Sequence, residues 1–221
     1  MCFYFRQTKQ ALEVANRFRI KKFESYPDKA LGEYNGFDHP LCETITNINP
    51  DSISLLKWGL IPSWSASDEI SKNTLNARIE TVDKLRSFKD HLSDRCLIIS
   101  NGFYEWQHIT ISGKNSKKKY LVTTPDESLF AFAGICSWWK DPFKGGLKGT
   151  FSILTTQANE FMSEIHNTKQ RMPVILKPED EQRWLRGENH KEFAYPYSVE
   201  LIAQLQEPLK IKRGDSLNLL F

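Results

Sequence analysis

The sequence is poor in the features that announce metal, disulfide or membrane chemistry. It has four cysteines, Cys2, Cys42, Cys96 and Cys136, scattered along 221 residues with no CxxC pair. That spacing argues against both a zinc site and a disulfide framework. No apolar run approaches the roughly 20 residues of a membrane span, and the first residues lead straight to charged Arg6 and Lys9. The expectation is therefore a cytoplasmic protein with no membrane partner. Lys and Arg number 30 against 27 Asp and Glu, a net charge of only +3. So slight an excess does not demand a nucleic-acid partner, but it leaves room for a locally basic groove. No Gly-rich phosphate loop, Ser-His-Asp order or metal-ligand cluster is present, and neither a cofactor nor a metal is expected. Internal repeats and low-complexity segments are also missing.

What is present suits one domain over 1–221, long enough to bury a core. Residues 2–6 read as an aromatic-rich strand, and 8–18 as a helix with Thr8 at its N-cap and Ala11, Leu12, Ala15 and Phe18 on one face. Residues 20–38 read mostly as loop. A strand is predicted at 53–61, ended by Pro62, with a polar loop to Asn73 and a helix over 82–92 capped by Thr81. Strand-like pieces over 95–111 break at Asn101-Gly102, and residues 112–116 form a hairpin tip. Lys114 and residues 117–119 then lie at a solvated hairpin end. A buried strand at 129–138, a strand at 150–155, a short helix at 157–165 and a strand at 172–176 follow. The tail adds a helix opened by Pro178, a short helix at 198–205 and a strand at 208–212. Many short strands without regular βαβ alternation predict an α+β fold. Its core is barrel-like or a sandwich of mixed, mainly antiparallel strands, with flanking short helices. Cys96 and Cys136, in apolar runs, read as core thiols.

Chemistry is most concentrated at Met1-Cys2. A small second residue permits removal of Met1, and Cys2 then carries an α-amine and a thiol on adjacent carbons. Such a 1,2-aminothiol condenses with an aldehyde to an imine and closes to a five-membered thiazolidine. The two groups titrate at roughly 8 and 8.5, so part of each is nucleophilic near neutrality. The alternative is that Cys2 is simply the second residue of a strand.

Three other segments hold polar groups in unusual settings. Glu105, between Tyr104 and Trp106, is either an outward-facing strand glutamate or a desolvated carboxyl fit to pass protons near neutrality. His166 falls at a helix end, as a helix terminator or as an acid/base. Asn76 and Arg78 alternate on a short extended piece and face one side, as an ordinary loop paired to Glu80 or as a clamp for sugar and phosphate. Trp58 reads as core. Trp64, beyond Pro62 among serines, reads as exposed and able to stack on a base.

Taken together the motifs resemble the SRAP family, the SOS response-associated peptidases or abasic-site processing proteins. The resemblance rests on Met1-Cys2, the run from Trp58 through Gly59-Leu60-Ile61-Pro62-Ser63 to Trp64, the run Asn76-Ala77-Arg78-Ile79-Glu80-Thr81, and Arg95-Cys96-Leu97 followed by Gly102-Phe103-Tyr104-Glu105-Trp106. Phe130-Ala131-Phe132-Ala133-Gly134, Ile165-His166-Asn167 and the run from Arg171-Met172-Pro173 to Leu176 complete it. These occur in the family's order over nearly the whole chain. The resemblance implies a groove for single-stranded DNA containing abasic sites, removal of Met1 by the protein's own peptidase activity, and a thiazolidine crosslink from Cys2 to the ring-opened abasic sugar, with lyase-type chemistry alongside. It implies catalytic roles for Cys2, Asn76, Glu105 and His166. Arg78 and Arg171 are implied to contact phosphates, with Trp64, Pro40 and Met172 along the DNA path; a monomer is expected. Two departures stand out: Phe3-Tyr4 replaces the family's Gly-Arg, and Asn167-Thr168-Lys169-Gln170 separates His166 from Arg171.

Two other readings compete. One is an N-terminal-nucleophile cysteine hydrolase acting on peptides or amides. The other is a non-covalent single-strand binding module in which Cys2 is incidental.

Overall fold

The computed structural model describes residues 2–21, 32–143 and 145–206. In chain order the elements are β1 (Tyr4–Gln7), α1 (Ala11–Phe18), β2 (Gly32–Asn35), β3 (Leu41–Thr46), β4 (Ser54–Trp58), β5 (Asn76–Arg78), β6 (Arg95–Ser100), β7 (Gly102–Ile111) and β8 (Lys114–Thr123). They continue as β9 (Phe130–Lys140), β10 (Leu147–Gln157), α2 (Glu160–Ile165), β11 (Arg171–Pro173), β12 (Ile175–Leu176), α3 (Glu181–Leu185) and β13 (Ile202–Gln206). Pairing runs from β4 to β3, β6, β9 and β10 and returns to β4, closing a five-stranded barrel. Only the β4–β10 contact within that ring is parallel. A second, antiparallel sheet has the order β13-β8-β7-β1-β2. The α+β reading with a barrel-like core holds.

Strand alternation explains why the barrel closes. On β6, Cys96 and Ile98 enter one apolar cluster, while Leu97 and Ile99 enter another. On β9, Phe130, Phe132 and Cys136 join the first, and Ala131, Ala133 and Ile135 the second. The first cluster draws on all five barrel strands and on Phe5, Phe103 and Val122 of the second sheet. The second lies under Val14 and Phe18 of α1, Phe88, and Trp184 and Leu185 of α3. Strands apolar on both faces read as unbroken hydrophobic runs, as the sequence does there. Gly134 marks a tight point, since a Cβ there would lie 2.3 Å from Ile98 Cδ1 and 2.9 Å from Cys96 Sγ. All four cysteines are buried and free. Among the described residues, no helix is long and apolar enough to cross a membrane.

The structure corrects several local expectations. Thr8 does not cap α1. Its backbone N–H and hydroxyl both engage Asn101, and the cap position is Gln10, without a side-chain bond. The buried face is Val14, Ala15 and Phe18, while Leu12 points to solvent. Residues 82–92 form successive turns and one short 3-10 turn at Lys89–His91, not an α-helix. Lys84 N–H donates to the Thr81 carbonyl, Phe88 to Leu85 and His91 to Phe88. This path buries Val82 and Phe88 and leaves Leu85 exposed, a spacing no regular helix face provides. Part of the expected 20–38 loop is β2, which pairs with β1; residues 22–31 lie outside the described residues. The hairpin turn is confined to Ser112 (φ 49°) and Gly113 (φ 75°), and Lys114–Ser116 already belong to β8. Instead of a helix at 198–205, β13 covers the open edge of β8. The strand expected at 208–212 also lies outside the described residues.

The far end of β10 organises the functional region. There Ile153–Thr155 pair with Asn76–Arg78 of β5 on one edge, and Thr155–Gln157 pair with Pro173–Arg171 of β11 on the other. Helix α2 follows β10 directly. The second sheet brings the chain start, on β1, to the same place as β7.

Candidate active site

Cys2 is fully buried beside β1. Its carbonyl accepts a 2.8 Å hydrogen bond from Asn76 Nδ2, and its thiol donates to the Tyr4 carbonyl at 3.8 Å. Burial, then the nearby Glu105 carboxyl, pushes the thiol pKa far up. In the chain as it stands, beginning at Met1, the Cys2 nitrogen is an amide and the thiol is protonated. The expectation of a partly ionised thiol at neutrality does not hold for this state. Asn76 Oδ1 is buried with no hydrogen-bond partner among the described residues.

Alternation along β7 puts Glu105 on the opposite side of the sheet from Tyr104 and Trp106. Glu105 is buried, and desolvation raises its pKa to about 7 against the ordinary 4.5, with a backbone hydrogen bond at Trp106 opposing the rise. Of the two readings of this glutamate, the structure therefore selects the desolvated carboxyl.

His166 ends α2, its N–H donating to the Met162 carbonyl. Nδ1 lies 2.7 Å from the Arg171 carbonyl and 3.2 Å from the Arg171 N–H; the shorter contact is to an acceptor, so we assign the proton to Nδ1 and the lone pair to Nε2. Burial lowers the imidazole pKa, and the charges of Lys169 and His108 add to the effect. The ring is neutral at pH 7. Glu105 and His166 line one cavity of about 290 Å³, together with Phe3, Tyr4, Trp106 and Lys117.

An adjoining cavity of about 420 Å³ holds Arg78, Glu80, Gln157 and Arg171, and Lys169 borders both. Arg78 is exposed there. Arg171 is not a solvent-facing phosphate ligand: it is buried and bidentate to Glu80 at 2.9 and 2.8 Å, with a further bond to the Thr155 carbonyl at 2.6 Å. Burial raises the Glu80 pKa, but the Arg171 bonds outweigh it and hold the carboxyl below its ordinary value. Met172 is also a core residue, its sulfur accepting from the Asn159 N–H, so its side chain cannot line a DNA path. Trp64 is 43% exposed, with Arg86 stacked 4.5 Å above its ring. Neither Trp64 nor half-buried Pro40 lines either cavity.

Cys2, Asn76, Glu105 and His166, far apart in the chain, thus converge between the barrel end and the second sheet. Sequence reasoning placed Lys117 at a solvated hairpin end, with a phosphate site as the alternative, and missed Lys169. Lys117 pairs with His108 and so returns along β8 to the cavity rim, which counting back from a two-residue turn reveals. Lys169 sits in the four residues that interrupt the family motif. Among the described residues, no group of three or more His, Cys, Asp or Glu is placed to hold a metal ion.

The profile described as SOS response associated peptidase (SRAP) matches residues 1–211. The abasic site processing protein YoqW of Bacillus subtilis is 35% identical over 195 residues, covering 86% of this chain and 82% of that one. The abasic site processing protein HMCES of Rattus norvegicus is 32% identical over 160 residues, 59% of this chain and 44% of its own. A crystal structure of a Bacteroides thetaiotaomicron protein superposes with a TM-score of 0.83 at 32% identity, covering 93% of this chain and 92% of that one. The chain belongs to the SRAP family.

Proposed function

We propose that this chain captures the ring-opened aldehyde of an abasic site in single-stranded DNA as a thiazolidine on Cys2, acting in the cytoplasm where it meets DNA. Hydrolysis of the Met1–Cys2 bond, assigned to the same site, first converts the amide nitrogen into an amine. The amine adds to C1′ of the aldehyde, water leaves to give an imine, and the sulfur adds to the same carbon. One C–N and one C–S bond form, one water departs, and the thiol proton passes to the medium of the site while nitrogen takes one in return.

The observation that carries the reading is a carboxyl titrating near 7 against the Cys2 thiol, in a cavity shared with a neutral histidine. Near neutrality both forms of Glu105 are populated. The acid protonates the departing hydroxyl, and the carboxylate takes the thiol proton at ring closure. A thiol held protonated at rest is protected from stray oxidation until then. His166 Nε2 takes the proton of the C1′ hydroxyl as the sugar opens. Asn76 fixes the Cys2 carbonyl and offers Oδ1 to the amine. Arg78 and Lys169 face flanking phosphates, and Arg171 braces Glu80 and His166. Until sulfur closes the ring, loss of the acidified C2′ proton from the imine expels the 3′ phosphate, a lyase side reaction.

The test is a denaturing gel of a single-stranded oligonucleotide with one abasic site, using protein whose N-terminus is verified by mass spectrometry. A heat- and SDS-stable adduct is expected, absent in Cys2→Ala. Cys2→Ser keeps the amine and is expected to give an adduct only when the imine is trapped by borohydride. A stable adduct in Cys2→Ala sinks the reading.

A further inference from the structure

The outward face of β1 and β7, with Phe3 just before β1 and Phe37 just after β2, carries an aromatic surface that the chemistry above does not use. Phe3 stacks on Phe37 with ring centroids 4.9 Å apart, and Tyr4 meets Trp106 edge-on at 5.0 Å and Phe37 at 6.2 Å. Lys119 lies 3.8 Å above the Tyr104 ring and 5.9 Å from that of Trp106. The surface runs into the site, since Phe3, Tyr4 and Trp106 line the cavity that holds Glu105 and His166. Phe37 stands at its outer edge, 57% exposed. It is held firmly for an exposed ring: its N–H donates to Asn35 Oδ1 at 3.1 Å, Asn35 Nδ2 donates to Asp38 at 2.9 Å, and the Gly36 N–H donates to the Phe3 carbonyl at 2.8 Å.

We propose that Phe37, with Phe3, Tyr4 and Trp106 behind it, is a stacking platform for the unpaired nucleobase next to the lesion in the same strand. The inference rests on the function proposed above. A sugar seated against Glu105 and His166 leaves its neighbour within reach of the rim. Every base offers a flat face to a preset ring, and Lys117 and Lys119 supply positive charge beside it. A purine stacks over more area than a pyrimidine, so the platform ranks neighbours by size. A paired neighbour cannot use it.

The experiment measures crosslinking rates at subsaturating protein on abasic oligonucleotides. The base on one side or the other of the lesion is replaced by tetrahydrofuran, which lacks the C1′ hydroxyl and cannot open. Removing the base on one side is expected to slow the wild type by about tenfold, the scale of a lost base–aromatic stack. Phe37→Trp should keep that dependence. Phe37→Ala should react equally slowly with and without the base while still giving the stable adduct. Indifference of the wild type to both replacements, or undiminished dependence in Phe37→Ala, overturns the platform and leaves the covalent reading standing. No adduct with any oligonucleotide overturns that reading, and the platform with it.

Discussion

The barrel and the second sheet are built from strands of similar length, yet they spend their faces differently. Strands β6 and β9 are apolar on both sides, and their polar residues are few and, apart from the terminal Lys140, buried. Strands β1 and β7 give one face to the core, and on the other Tyr4 and Trp106 reach the cavity rim while Tyr104 stays buried. The barrel is a frame that tolerates nothing chemical, and the sheet beside it carries Glu105 and the chain start. The site forms where the rigid part supplies positioned partners, Asn76 and His166, to the part that carries reactive groups. Changes in the two regions should therefore fail in different ways.

The largest effect is expected in the frame. Trp184 is fully buried, its indole N–H shared between the Cys96 and Gly134 carbonyls at 3.2 Å, with Arg95 stacked 4.0 Å from its ring. Trp184→Ala should cost ~3–5 kcal/mol of unfolding free energy, measured by urea denaturation. Crosslinking at low temperature by the fraction that remains folded should be unchanged. If activity falls while stability does not, frame and site are not separable as argued.

Glu105→Gln reverses the pattern. The Glu105 pKa is raised in the folded state, from 4.5 to about 7. Its contribution to stability is therefore complete below about pH 4.5 and is lost as pH rises through 7. At ~1.4 kcal/mol per pH unit, the wild type gives up roughly 3 kcal/mol by pH 8 that the glutamine variant does not. Thermal melts should show the variant more stable at pH 8, with the difference vanishing near pH 4.5. Its crosslinking rate should lose the inflection near pH 7. A wild type whose stability is flat between pH 5 and 8 contradicts the buried carboxyl.

The same division decides how much the sequence disclosed. The frame was legible because two-faced burial leaves continuous apolar runs, as at Cys96-Leu97-Ile98-Ile99, and many short strands left a barrel-like core or a sandwich, between which the β4–β10 pairing decides. Cys2, Glu105 and His166 were legible as residue types in unusual settings. What failed was local and set by distant partners. Thr8 looks like a cap until Asn101 claims its hydroxyl, residues 82–92 have helical composition but bury Val82 and Phe88 together, and the tail reads as a helix where β8 needs an edge strand. Arg171 and Met172 carry the right letters for a DNA contact, yet Glu80 and the core hold them inside. No single-residue pattern shows whether a guanidinium is already paired.

The smallest effect is expected at the strap between the two regions. Beyond β1, the edge of β7 is covered by side chains from the segment that leaves the barrel. Asn167 accepts from the His108 N–H at 3.0 Å and donates to its carbonyl at 2.8 Å, and Gln107 donates to the Glu164 carbonyl at 3.0 Å. These bonds fix α2, and with it His166, against the sheet that carries Glu105. They are solvent-exposed, so Asn167→Ala should lower stability by only ~0.5–1 kcal/mol. The catalytic consequence should exceed that. A histidine no longer held over the cavity loses alignment with the sugar, and crosslinking should slow by about three- to tenfold, on the scale of one misplaced proton-transfer group. The pH of the Glu105 inflection should not move, because its burial does not depend on Asn167. A rate unchanged within twofold would mean that the barrel alone positions His166 and that the two regions meet only through the substrate.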